Sequence, residues 1–200
     1  MVNLETKIPE GATISDLDRD LLDEYRKKLK IDDGSSDYDF LKSRGCLKEL
    51  DYIFYPTYAG LLLFGMNPQQ WLPTASILAV RFPGSTLSDT FVKQEISGNL
   101  IQQLKKAEIF IGDHTPRKGS ISGMQRIEEE IYPLDVVREL VVNAITHRDY
   151  NNQGDHIHVH LYSDRLIVRS PGELPGPVTL DNLLDIRYSR NPVIAQVLSD

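Results

Sequence analysis

The chain has 200 residues, enough for one sizeable core or two small ones, with 40% hydrophobic and 26% charged residues, an ordinary globular balance. Its 29 acidic against 22 basic residues, net charge −7, and lack of any Lys/Arg block argue against these residues alone gripping a nucleic-acid backbone. The single cysteine, Cys46, excludes an internal disulfide and a cysteine-based zinc cage and fits a reducing cytoplasm.

No apolar run approaches the roughly 20 residues of a membrane helix, so no membrane partner is expected. Met1 is followed by Val2, Asn3, Leu4 and Glu5 rather than by a basic stretch and an apolar core, so no secretory leader is expected.

The first predicted element is a helix over Ser15 to Lys30. Leu17, Leu21, Tyr25 and Leu29 recur every four residues, with acids early and bases late, as the helix dipole favours. Asp32, Asp33 and Gly34 end it as a loop. A short helix starts at Phe40-Leu41 and stops near Gly45. Pro56 to Gly65 predicts a buried helix closed by its glycine. Ala75 to Phe82 predicts a buried strand halted by Pro83-Gly84. Leu100, Leu104, Ala107, Phe110 and Ile111 mark a further helix. His114 to Gly123 has the composition of an internal boundary or flexible loop, and Met124 to Glu130 that of an extended stretch.

Pro133 then opens a helix whose apolar face is Leu134, Val137, Val141, Ala144 and Ile145. Strands follow over His156 to Tyr162 and Leu166 to Ser170, joined tightly at Ser163-Asp164-Arg165. Pro171-Gly172 and Pro175-Gly176-Pro177 are rigid turns. Asn191-Pro192 opens a last helix still running at Asp200, as expected of a piece of a longer chain.

Three constellations could carry chemistry. Glu139 and Asn143 lie four apart and share a helix face. There a carboxylate can take a proton from water, and an amide oxygen can hold Mg²⁺; the same pair is also common on plain exposed helices. His156, His158 and His160 alternate along one strand face, as metal ligands or as a solvated face do. His147, Arg148 and Asp149 end the helix. The first two suit its negative terminus, whereas Asp149 needs a partner, either Arg148 or the Arg190-Asn191-Pro192 segment. No Gly-x-Ser-x-Gly elbow and no phosphate loop of the Gly-x-x-x-x-Gly-Lys-Ser/Thr kind occurs.

The order of a Glu139-x-x-x-Asn143-Ala144 helix, a hairpin and a Ser170-Pro171-Gly172 turn resembles the GHKL ATPase superfamily of gyrase, MutL and histidine kinases. The resemblance implies Glu139 as the water-activating base and Asn143 as the Mg²⁺ ligand. It also implies ATP with Mg²⁺ as cofactors, and His147, Arg148, Ser170, Gly172 and Arg190 as nucleotide contacts. Where that superfamily carries an Asp-x-Gly-x-Gly turn, this chain has Ser170 for the aspartate and Leu174 for the second glycine. Thr146 stands where histidine kinases often have a lysine.

A wider pattern joins Pro56 to Gly65, Asn67-Pro68, Arg138 to Tyr150, Asp164 to Gly172 and Arg190-Asn191-Pro192. It resembles the prokaryotic Schlafen/AlbA-type transcriptional regulators, often labelled RecG-related ATP-dependent DNA helicases. That resemblance implies an α+β fold: an N-terminal α/β connector and assembly region over 1–123, then a small GHKL-like two-layer α/β sandwich over 124–200. It also implies a cytoplasmic homo-oligomer whose DNA contacts lie in flanking domains. Two readings stay open: a nucleotide-binding regulatory module, at most a slow Mg²⁺-dependent ATPase, or a non-catalytic dimerisation scaffold with a degenerate pocket.

Overall fold

The computed structural model describes residues 3–30, 34–115, 117–122, 125–174, 176–182, 185–186 and 188–200, with 117–122 and 125–130 described by their backbone. The expectations on Asp32, Asp33, Gly123, Met124 and Pro175 lie outside these.

The first helix, α1 (Arg19–Lys28), is shorter than its periodicity predicts. Ile14–Asp16 forms a separate 3-10 turn, Leu17 bridges to Gly65, and the Asp18 side chain caps α1 by accepting from the Leu21 N–H. Helix α2 (Asp37–Ser43) is capped in the same way by Ser36. The hairpin of β1 (Leu47–Leu50) and β2 (Ile53–Pro56) follows. Its tip holds Asp51 and Tyr52 at positive φ, an arrangement that apolar periodicity does not reveal.

Helix α3 (Tyr58–Phe64) is the most deeply buried, with Ala59 to Phe64 all inside. Gly60 lets it lie against the backbone of Cys46, just before β1, because a Cβ there would stand 2.1 Å from the Cys46 carbonyl oxygen. Gly65 ends it with φ −72°, not in the left-handed conformation expected of a closing glycine.

Strand β3 (Ile77–Arg81) pairs antiparallel with β4 (Val92–Ile96), then α4 (Leu100–His114) crosses behind. The stretch expected as a loop near His114 to Gly123 contains β5 (Arg117–Ser122), paired with β6 (Gln125–Glu130). Then come α5 (Leu134–His147), β7 (Ile157–Leu161), β8 (Leu166–Arg169) and α6 (Pro192–Ser199).

The main sheet has the order β4-β3-β7-β8, with β3 and β7 parallel and the other neighbours antiparallel. The fold is therefore α+β with a mixed sheet. Ile77, Ala79, Ile157 and Val159 form its inner face and join the main core beneath the helices. The opposite face carries Leu78, Val80, His158 and His160, with a small cluster of Val80, Phe82 and Tyr162.

Strands from either side of residue 123 share this sheet, and one hydrophobic core runs from Ala12 to Leu198. Residue 123 thus does not divide two cores. The N-terminal segment is tied to α6: the buried Glu5 carboxylate accepts from the Val193 and Ile194 N–H groups. Among the described residues no helix is long and apolar enough to cross a membrane.

Candidate functional site

Helix α5 buries Val137, Val141, Ala144 and Ile145 on one stripe and so turns Glu139 and Asn143 outward. The Asn143 Nδ2 amide donates to Glu139 Oε1 at 2.9 Å. Among the described residues the Asn143 side-chain carbonyl oxygen and the second Glu139 oxygen have no other hydrogen-bond partner.

Both residues line a cleft of about 1040 Å³. Its other walls are Ser170, Gly172, Glu173 and Leu174 after β8, then Val178, Ile186, Tyr188 and Ser189, and α6 through Ala195 and Ser199. The α6 wall was not expected from the sequence, although Ala195 and Ser199 are four apart on one helix face.

Ser170 does not stand as a free hydroxyl. Its Oγ donates to the Ala144 carbonyl at 2.7 Å, tying the end of β8 to α5. This is one of several caps on the last turn of α5, whose carbonyls have no helical partner. Tyr150 Oη donates to Ile145 O at 3.2 Å, and Asn191 Nδ2 to Thr146 O at 2.9 Å and Arg148 O at 2.8 Å. Three short motifs that the sequence singles out thus converge on one helix end.

Of the expected site residues, Glu139, Asn143, His147, Ser170 and Gly172 line the cleft. Arg148 and Arg190 do not. The chain leaves the helical path at Arg148 (φ −56°, ψ 137°), which sends this side chain inward. It is 2% exposed, with Nη2 donating to Thr74 Oγ1, Asn152 O and Asp155 O, and its guanidinium over the Tyr150 ring. Arg190 pairs with Asp149 at 3.0 Å and also donates to Glu173 O.

Asp149 therefore finds its partner in the Arg190 segment. Burial alone would raise its pKa, but the Asn151 side chain and N–H, then Arg190 and Arg148, hold it below the usual carboxylate value. His147 is held towards its neutral form, first by burial and then by the Arg190 charge.

The strand histidines go to separate partners. His156 Nδ1 meets Ser76 Oγ at 2.8 Å, His158 Nε2 meets Asp155 Oδ1 at 2.7 Å, and the His160 ring stands edge-on to Phe82. Among the described residues no group of three His, Cys, Asp or Glu side chains could hold a metal.

The family model described as "Putative ATP-dependent DNA helicase recG C-terminal" matches residues 154–200, which carry β7, β8, the cleft's turn and α6. A domain of unknown function, DUF8451, matches residues 3–74. No curated protein matches the chain. The crystal structure of the DIP2311 protein from Corynebacterium diphtheriae is similar over 98% of this chain, with a TM-score of 0.73 and 25% identity. The chain spans 39% of that protein's length. The match over 154–200 makes this part of the chain similar to that RecG-labelled family.

Proposed function

We propose that the chain takes ATP with Mg²⁺ in the α5 cleft, with Asn143 as the metal's amide ligand and Glu139 as the base for an attacking water. Turnover is slow or nil. The observation that carries this reading is the Asn143–Glu139 hydrogen bond at the cleft wall. By donating its N–H to Glu139, Asn143 keeps an oxygen for a hard cation, and Glu139 keeps one for a water proton. Bound there, Mg²⁺ would neutralise and bridge phosphate oxygens. In the longer protein the module would serve a cytoplasmic, homo-oligomeric DNA-binding transcriptional regulator of the Schlafen/AlbA type. DNA would be held by flanking domains, and residues 1–123 would act as connector and assembly region.

A second reading, a scaffold with a dead pocket, is favoured by one feature. The described residues lining the cleft include two carboxylates, Glu139 and Glu173, and no lysine or arginine.

Isothermal titration of ATP and of ADP, each with Mg²⁺, into the wild-type chain and into Asn143→Ala separates the two. Micromolar binding, about −8 kcal/mol, that is lost in the variant supports the nucleotide reading. Absence of binding at millimolar nucleotide overturns the nucleotide reading in favour of the scaffold.

A further inference from the structure

We propose that β4 pairs antiparallel with β4 of a second copy of this chain, about a two-fold axis at Gln94, so that two four-stranded sheets join into one. The inference deepens the homo-oligomeric part of the proposed function and stands apart from the nucleotide reading.

Strand β4 lies at one edge of the main sheet and pairs with β3 alone. Among the described residues no other backbone group bonds to Val92 through Ile96, and Val92 to Glu95 are all exposed. Such an edge presents a row of unpaired N–H and C=O groups, a template for another strand. Its side chains divide by the pleat. Ile96 meets Ile77 in the core, so Val92, Gln94 and Ile96 share the helix side. Lys93 and Glu95 stand on the other side, with Val80 and Leu78. Lys93 has no ion-pair partner among the described residues. Glu95 Oε1 accepts from Ser76 Oγ at 3.2 Å.

The sequence Val92-Lys93-Gln94-Glu95-Ile96 is complementary to itself when reversed. A joined sheet keeps its core face on one side only if the axis passes through a residue, because a one-residue slip flips every side chain. Centred on Lys93, the pairing sets lysine against lysine; centred on Glu95, it sets glutamate against glutamate. Like charges directly opposed destabilise a ladder. Centred on Gln94, it sets Lys93 opposite the partner's Glu95 twice over. The same register puts Gln94 opposite its own copy, where two amides can exchange hydrogen bonds, and half-exposed Val92 opposite the partner's Ile96. Charge therefore selects one register and one occupant, with the same patch used on both copies as a closed dimer requires. The other edge strand, β8, holds a single charged residue, Arg169, and cannot form reciprocal pairs with itself.

The test is sedimentation equilibrium of the wild-type chain, Lys93→Glu, Glu95→Lys, the double variant and an equimolar mixture of the two single variants, with each melting temperature checked first. The expected result is a wild-type dimer whose dissociation constant rises about tenfold or more in each single variant, where two attractive pairs become two repulsive ones. The mixture should restore it, since every opposed pair again joins opposite charges, and so should the double variant. Should one single variant not fold, the other must still weaken the dimer and the double variant restore it. A wild-type chain that stays monomeric at its highest soluble concentration would overturn the pairing and, with it, the assembly role given to residues 1–123. A wild-type dimer that the folded single variants leave unchanged would overturn the pairing and leave the homo-oligomeric reading standing on another surface. Weakening without restoration in the double variant would overturn the register at Gln94.

Discussion

Across the backbone of Gly172, the Asp149 carboxylate and the Arg190 guanidinium meet at 3.0 Å. Gly172 holds φ +120°, and a Cβ there would lie 2.9 Å from Asp149 Cβ and 3.2 Å from Arg190 Nη1. Gly172→Ala therefore combines a strained backbone with displacement of this ion pair. It is expected to cost about 2–3 kcal/mol, seen as a lower urea midpoint. A loss under about 0.5 kcal/mol would show that the turn yields without disturbing the pair.

Asn191 is 2% exposed and its amide donates to two carbonyls, Thr146 O and Arg148 O. Asn191→Ala leaves Arg148 O buried without this donor and Thr146 O with only the Asn191 backbone N–H at 3.3 Å, so a loss of about 2–3 kcal/mol is expected. Ser170→Ala uncaps only Ala144 O and should cost less, about 1 kcal/mol. Equal losses in denaturant titrations would contradict the capping account.

Stability should fall on mild acidification in part because of His147. Its folded-state pKa lies below the ordinary 6.5, so above that pH both states carry a neutral ring and no penalty exists. Below pH about 6.5 the unfolded chain binds a proton that the folded chain resists, and stability drops until the folded value is passed. His160 is lowered too, by burial first and then by His158 and Arg169, and contributes in the same direction. His147→Gln should flatten part of this slope and His160→Gln another part. Melting temperatures from pH 8 to 5, about the span of an imidazole titration, that run parallel in all three proteins would refute it.

Nucleotide binding should depend on the divalent cation to an unusual degree. With no described lysine or arginine in the cleft lining, and with Glu139 and Glu173 there, a bare triphosphate meets like charge. Chelation with EDTA is expected to abolish the ATP titration signal. Retained affinity without the cation would point to a positive group outside the described lining.

Much of the frame was legible in the sequence because its signals are local. The apolar stripes of α4 and α5 set their positions, and alternation with a short turn set β7 and β8. What escaped was what tertiary contacts decide. Strand β4 exposes Val92 to Glu95 at a sheet edge, so it carries no inward pattern. Strand β5 falls in a stretch with the composition of a loop, whereas β6 falls where an extended stretch is expected, and α1 starts later than its periodicity predicts because Leu17 belongs to a bridge with Gly65.

At the site, the outward placement of Glu139 and Asn143 followed from helical periodicity. Arg148 did not, since nothing local to His147-Arg148-Asp149 reveals that the backbone turns after His147 and carries the guanidinium inward. Ser189 escaped too: a lone serine before Arg190 has no signal until the cleft is folded around it.

The parallel pairing of β3 with β7 has a kinetic consequence. Ser76 and His156, which meet where the two strands begin, are 80 positions apart, so a long loop must close before the sheet's central pair can form. Helices and hairpins can gather early from near neighbours, but the cleft depends on strands that meet only after this closure. Its walls therefore belong to the late part of folding, and a chain released or cleaved before β7 docks would hold its helices without a pocket between them.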